Sequence, residues 1–304
     1  MKKTHAYYLF LFLLFLSGKV AGQVSERKPL RIFSYNILDG FEQQQDTSRR
    51  ERFIRWVRRE NPDVVALNEL VGFTEKDLQV LASETGHPYA AIVKEEGYPV
   101  GIMSKYPVTV VRKQEEGFWH GMLHARTAGL NIIVTHLSPF EWKFRQKEAQ
   151  AIVAYVESAR LDSCLIMGDM NAYSPFDADE VETHAALKKN LQKWDKAHPE
   201  YGNLREDRFD YSVLSRFLAA GFTDIIARYV PAARRMSYPT AWSYHLPWGA
   251  EQLTEYQEHL DFIFVSPSLV SCCTGAEVHN GADTDSISDH YPVSVDIRLA
   301  GQIR

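Results

Sequence analysis

Cysteine is scarce in this 304-residue chain: Cys164, Cys272 and Cys273 are the only three. An odd count without regular spacing excludes a disulfide framework and a cysteine-based zinc site. Cys164 lies in an apolar segment and reads as a small buried hydrophobe. No Gly-x-Ser-x-Gly occurs, which argues against a serine-nucleophile hydrolase. Long apolar runs are missing too, apart from Ala6 to Leu16, which is short for a bilayer span. Lys2 and Lys3 precede this run and Ala21-Gly22 follows it, so residues 1–22 read as a secretory signal peptide and 23–304 as the mature protein. The alternative is an uncleaved membrane anchor. No cysteine follows the run directly, so a lipid-anchored form is not expected. Basic charge is the last shortage. The net charge is −5, and without Lys2, Lys3 and Lys19 it falls to −8, with 31 basic residues against 39 acidic ones. Proteins that grip duplex nucleic acid through many phosphates carry a basic footprint, and this chain lacks one overall.

What is present suits a folded domain. Hydrophobic residues make up 45% and charged residues 24%, enough for a sizeable core. With no linker, internal repeat or low-complexity stretch, one domain is expected. Leu30 to Ile37 carries β-branched and aromatic residues on a half-buried pattern and predicts a strand. Asp46 to Glu60 predicts a helix with Phe53, Trp56 and Val57 on one face, stopped by Asn61-Pro62. Its arginines (Arg49, Arg50, Arg52, Arg55, Arg58, Arg59) read as a solvated face. Val64 to Leu70 predicts a buried strand, and Thr74 to Thr85 a helix. Short strands follow at Tyr89–Val93, Val100–Ser104, Val108–Arg112, Met122–Thr127 and Leu130–Leu137, with Cys164–Gly168, Phe262–Val265 and Val293–Ile297 later. Ser138-Pro139-Phe140-Glu141 predicts a capped helix start, with the helix running to about Arg160. Residues 173–220 are polar, helical and loop-rich. Strands alternating with covering helices suggest an α/β (α+β) sandwich, two packed sheets with helices outside.

Polar residues recur where the apolar strands end or begin: Asn36, Glu69, His136, Asp169 with Asn171, Asp261, and Asp289 with His290. Strand ends can converge on one rim of a layered fold and share a cleft. Oxygen donors from Asn36, Glu69 and Asp289 suit a hard cation such as magnesium. His136 and His290 can donate to phosphate oxygens or move protons. Asp169 can orient or deprotonate a water, Asn171 can hold the phosphate or that water, and Asp261 can fix a histidine tautomer. Each residue alone could be a turn, a cap or a satisfied core group; the ordered set is what points to phosphoryl transfer, which needs positioning and charge stabilisation.

The ordered set resembles the endonuclease/exonuclease/phosphatase superfamily with its DNase I-like fold. The matching segments are Tyr35-Asn36-Ile37, Leu67-Asn68-Glu69, Gly101 to Pro107, Thr135-His136-Leu137, Gly168-Asp169-Met170-Asn171, Gly221-Phe222-Thr223-Asp224, Thr240 to Tyr244, His259 to Val265 and Ser288-Asp289-His290-Tyr291-Pro292-Val293. The resemblance implies a four-layered sandwich, two mixed β-sheets flanked by helices, and phosphoester hydrolysis with Mg2+ or Mn2+. It implies Glu69 as main metal ligand with Asn36 and Asp289 nearby, Asp169 and Asn171 acting on water and phosphate, His136 stabilising the pentacovalent phosphorus, and His290 paired with Asp261. It leaves the general base open between Asp169 and His290. Abasic-site endonucleases carry an acid two places after the strand-end asparagine; here Leu38 stands at that place, with Asp39 next, which argues against that activity and against a second metal ligand there. Asn68 replaces a common Gln, a change expected to matter little, and His259 replaces a common Arg.

These readings give an exported, metal-dependent phosphoesterase acting on a phosphodiester or phosphomonoester by direct water attack. Its substrate is a small phosphoester, extracellular nucleic acid or a phospholipid head group, as in the secreted sphingomyelinases. A non-catalytic binding module is the reading from another class. A monomer without a stable protein partner is expected. Trp242, Tyr244, His245 and Trp248 are candidates for a substrate wall or for core packing. Arg234 and Arg235 are candidates for a second phosphate contact or a solvated pair. Tyr201, Arg205 and Arg208 are candidates for substrate choice.

Overall fold

Alternating burial along the strands decides the layering. In the computed structural model, which describes residues 28–241 and 250–299, neighbours on one strand enter different cores. Ile32, Val64, Ala66, Ile132, Val134, Leu165, Met167 and Val295 fill one apolar layer. Phe33, Tyr35, Val65 and Leu67 enter a second with Phe53, Trp56 and Leu78. Ile133, Ile166, Phe262 and Phe264 enter a third with Ile152 and Phe217. A period of two that buries both faces requires cover on both. The first layer is the seam between two sheets; the others lie under helices.

The strands are β1 (Leu30–Asn36), β2 (Val64–Asn68), β3 (Tyr89–Ile92), β4 (Gly101–Ser104), β5 (Thr109–Gln114), β6 (Met122–Thr127), β7 (Leu130–Thr135), β8 (Cys164–Asp169), β9 (Thr223–Asp224), β10 (Asp261–Val265), β11 (Cys273–Val278) and β12 (Val293–Ile297). They form two six-stranded sheets, ordered β11-β12-β1-β2-β4-β3 and β5-β6-β7-β8-β10-β9. The helices are α1 (Leu38–Gln43), α2 (Thr47–Glu60), α3 (Glu75–Thr85), α4 (Trp142–Ser158), α5 (Ala178–Val181), α6 (Ala185–Ala197), α7 (Ser212–Ala219), α8 (Ile225–Tyr229) and α9 (Pro267–Val270). The expected four-layered DNase I-like sandwich is therefore present. The signal-peptide segment, Lys2, Lys3, Lys19, Trp242, Tyr244, His245 and Trp248 lie outside the described residues.

Sheet topology fixes where the site must be. Each sheet has one parallel pair, β1 with β2 and β7 with β8. Parallel partners end at the same rim, so Asn36 and Asn68 emerge together, as do Thr135 and Asp169. β10 and β12 run antiparallel to β8 and β1, with Asp261 opposite Asp169 and Val293 opposite Ser34. Their beginnings therefore meet the ends of their partners.

Two expectations need correction. Arg49 does not belong to a solvated face. It is fully buried, with Nε donating to Ile287 O (2.9 Å) and Nη2 to Ile37 O (2.5 Å) and Leu38 O (2.8 Å). It stands on the inner side of α2, where three loop carbonyls need donors. The capping box at Ser138–Glu141 does not form either. α4 begins at Trp142, because tertiary partners take the backbone around Ser138. Its N–H donates to Glu148 Oε2 (2.8 Å), its C=O accepts from Arg145 Nη1 (2.9 Å), and Trp142 N–H donates to Gly202 O (2.9 Å).

Candidate active site

The rim brings all eight candidate residues close to one another. Asn36 Nδ2 donates to Glu69 Oε1 (3.0 Å) and to Asp169 Oδ2 (3.1 Å), crossing from one sheet to the other. Asp169 Oδ2 lies 3.4 Å from His136 Nε2 and 3.6 Å from His290 Nε2. Asp261 Oδ2 lies 2.8 Å from His290 Nδ1, the expected histidine–carboxylate pair. Asn171 N–H donates to Asp169 Oδ1 (2.9 Å), while its Nδ2 donates to Leu137 O (3.0 Å). Ser288 Oγ donates to Asn36 O (2.7 Å) and accepts from His290 N–H (3.3 Å), tying the Ser-Asp-His segment to the end of β1. Glu69, His136, Asp169, Asn171, Asp289 and His290 line one cavity of about 410 Å³, within the usual size of a small-ligand site.

Backbone strain gathers here. Glu69 and Asn171 have φ of 62° and 45°, a left-handed conformation that costs a non-glycine residue energy and is most often held at functional sites. α1 is a left-handed turn, with φ between 48° and 59° from Asp39 to Glu42. It delivers the Asp39 N–H to Glu69 Oε2 at 2.9 Å. Gly168 has φ of 140°, and a Cβ there would meet Thr135 O at 1.8 Å. Only glycine lets β8 approach the end of β7 this closely.

Burial and charge set the protonation states. Burial, then the Asp289 carboxylate, push Glu69 up to about 7. Burial pushes Asp169 up to about 7 despite the His290 charge beside it. Burial works against a charged His290, but Asp261 and Asp169 outweigh it and hold the imidazole well above its ordinary value. His136 goes the other way: burial, then His120 and His290, hold it well below. One imidazole is thus kept charged and the other neutral on either side of Asp169.

The donor set fits a hard cation. Among the described residues no three His, Cys, Asp or Glu side chains gather as a metal cluster. Glu69 and Asp289 are two carboxylates on one cavity whose charges oppose each other. Magnesium characteristically takes one or two carboxylates and keeps water for the rest. Asn36 Oδ1 accepts from Leu38 N–H (3.1 Å), which leaves that oxygen a second lone pair, and its amide ties the Glu69 and Asp169 carboxylates together.

Several cavity residues carried no sequence signal. His120 is buried, stacks on His136 with ring centroids 4.1 Å apart, and leaves Nε2 without a partner among the described residues. Tyr98, Trp119, Arg145, Tyr173, Tyr238 and Glu258 also line the cavity. They come from loops and from α4, where no short motif marks them. Arg235 is no phosphate contact: Nη1 donates to Asp177 Oδ1 (2.7 Å), Nε to Val230 O (2.7 Å) and Nη2 to Ala227 O (2.9 Å). Tyr201 stacks on Phe140; Arg205 and Arg208 are not among the cavity residues.

His259 links a second acid to the dyad. Its Nδ1 lies 2.8 Å from Asp177 Oδ2 and its Nε2 3.1 Å from Asp261 O. Burial opposes its charge, but Asp177 outweighs that and raises it. Both ring nitrogens face acceptors, which an imidazolium satisfies and a neutral ring does not.

Two packed mixed sheets with an acid–histidine cleft on their shared rim define a DNase I-like phosphoester hydrolase. The family model described as "Endonuclease/Exonuclease/phosphatase family" matches residues 33–290, and the chain belongs to that family. Comparison with curated protein sequences finds no match. Among solved structures, an AP endonuclease from Archaeoglobus fulgidus superposes with a TM-score of 0.63 at 17% identity, covering 89% of this chain and 100% of the other. The 3′ phosphatase NExo from Neisseria, bound to a product DNA hairpin, gives 0.66 at 19% identity with coverages of 89% and 100%. A humanized D. rerio TDP2 gives 0.57 at 17%, with 89% and 99%. At these identities the superpositions speak for the fold.

Proposed function

We propose that this chain is an exported, divalent-metal-dependent phosphoesterase that hydrolyses a small phosphodiester or phosphomonoester by direct attack of water. The observation that carries this reading is the position of Asp169 Oδ2, within 3.6 Å of His136, His290 and Asn36 together. With a carboxyl poised at about 7, Asp169 accepts a proton from the attacking water near neutral pH. His290, kept charged by Asp261, donates to a phosphoryl oxygen as charge builds there. Neutral His136 donates to the same group, and Asn171 orients it. Glu69 and Asp289 would hold a magnesium or manganese ion, which would supply Lewis-acid stabilisation of the phosphoryl group when bound. As the new P–O bond forms, the ester P–O bond breaks, and the leaving oxygen takes a proton from solvent while Asp169 returns to solvent the one it accepted.

The test is hydrolysis of bis(p-nitrophenyl) phosphate by residues 23–304 with Mg2+ or Mn2+. EDTA should stop it and either metal should restore it. His290→Ala and Asp169→Asn should each lower kcat by about 100-fold or more; near-wild-type rates in both would overturn the reading. Mass spectrometry of the exported protein should find Gln23 first. A nuclease is the second reading, favoured by the DNA-bound structural neighbour and opposed by the net charge of −8 left by 31 basic and 39 acidic residues. Degradation of plasmid DNA or RNA at rates above those for small diesters would favour it.

A further inference from the structure

Resting on the phosphoesterase reading, we infer that one side of the catalytic cavity is a subsite for a neutral, hydroxyl-rich substituent, so that the substrate is a compact polyol or sugar phosphoester. Arg145, Tyr173, Asn203 and Glu258 line the same cavity as Asp169 and His290, Arg145 bonded to Asn203 and Tyr173 to Glu258. Tyr173 and Asn203 belong to the loop-rich 173–220 segment, which thus reaches the catalytic cavity. Arg145 is only 2% exposed. Its Nη1 donates to Ser138 O (2.9 Å) and Asn203 Oδ1 (3.2 Å), and its Nε has no partner among the described residues. Glu258 is 9% exposed, and Tyr173 OH donates to its Oε2.

Charge selects among ligand classes. A second phosphate would be welcomed by Arg145 but would meet Glu258. A quaternary ammonium would be welcomed by Glu258 but would meet Arg145. Opposite charges on one small wall leave a neutral group as the ligand neither repels. That group must still satisfy donors and acceptors, since buried polar groups left unpaired are costly. A hydroxyl both donates and accepts, so it suits a guanidinium, an amide and a carboxyl side by side. Burial pushes Glu258 up to about 7, so it carries the opposing charge above neutral pH and donates to a hydroxyl below it. The aromatic residues point the same way. Trp119 and Phe140, with centroids 5.2 Å apart, meet at 67°. They offer an edge-to-face corner against C–H groups rather than two parallel faces. A cavity of about 410 Å³ has room for a small substrate.

The experiment compares p-nitrophenyl phosphodiesters whose second ester is glycerol, a hexose, n-propyl, choline or thymidine, with Mn2+ present. The glycerol or hexose diester should exceed the propyl diester about tenfold or more in kcat/KM, because a site built for hydroxyls rejects the analogue that lacks them. Glu258→Gln and Asn203→Ala should bring that ratio toward one. The ratio is taken within one protein, so it does not depend on the folded fraction. Equal rates for hydroxyl and propyl esters, an unchanged ratio in both variants, or choline or thymidine as the best ester would overturn the subsite. If bis(p-nitrophenyl) phosphate is hydrolysed but no hydroxyl preference appears, the subsite alone fails. If no ester is hydrolysed, the phosphoesterase reading fails beneath it.

Discussion

Asn68 Oδ1 accepts the backbone N–H of Asp169 at 3.1 Å, across the seam between the two sheets. Its Nδ2 donates to Thr135 O at 2.9 Å. One side chain on β2 therefore satisfies both strand ends that carry His136 and Asp169. The asparagine that stands in place of a common glutamine is a spacer between sheets. Asn68→Ala should lower kcat about tenfold or more with little change in KM, since it moves Asp169 without touching substrate. Two buried backbone groups lose their partner, so stability should fall by about 1–3 kcal/mol in urea unfolding. Wild-type kcat in a destabilised variant would show that the alignment does not depend on this link.

Glu69 and Asp289 repel each other across the cavity. Glu69→Gln removes that repulsion, so the metal-free variant should melt at the same temperature as wild type or higher. The rise in Tm that Mg2+ or Mn2+ gives the wild type, a mass-action effect of binding to the native state, should be absent. An equal metal-induced rise in both proteins would place the cation elsewhere.

His259 holds the start of β10 through Asp261 O while Asp177 holds His259. His259→Gln should lower kcat about tenfold and leave KM nearly unchanged, as a loss of alignment in the His290–Asp261 pair. His259→Arg keeps a cation with several donors and should recover most of the rate. If Arg recovers no more than Gln, the cationic link is not what positions Asp261.

His87 tests the acid side of stability. Burial holds it down at about 4, and both ring nitrogens are paired, Nδ1 with Thr85 Oγ1 (3.0 Å) and Nε2 with Pro62 O (3.1 Å). The unfolded chain takes up this proton near its ordinary 6.5, whereas the native state resists it until about 4. Its contribution is full above about 6.5 and shrinks as pH falls through that window, by up to about 1.4 kcal/mol per pH unit. Raised carboxyls such as Glu148, pushed up to about 7 by burial, act in the opposite direction, so the measurement must be a difference. The stability gap between wild type and His87→Gln should narrow from pH 7 to pH 4. A gap independent of pH would mean that His87 titrates alike in both states.

The core strands were legible because burial on both faces makes them continuous apolar runs, as in Val64–Asn68 and Cys164–Asp169. Met122–Thr127 and Val293–Ile297 match the expected bounds, and helices α2 and α3 start behind Asp46 and Thr74 as their caps. The edge strand β11 (Cys273–Val278) escaped notice because half-exposed Gly275 and Ala276 break its pattern. The site was legible wherever a polar residue interrupts an apolar strand end, as at Asn36 and Asp169. Arg49 was misread because helix periodicity shows which face is apolar, not whether a cation reaches past it to buried carbonyls. His120, Arg145 and Glu258 were invisible for a related reason. Their partners lie far away in sequence, and no local spacing reports a contact between α4 and the 173–220 segment.

Gly168 is where the two kinds of information meet. A side chain there would act as a wedge, parting the strands that end in His136 and Asp169 by more than their 3.4 Å interaction can absorb. Every reactive group could then remain in place in the sequence while the reaction was lost. Gly168 is thus a requirement of the reaction although it carries no reactive atom.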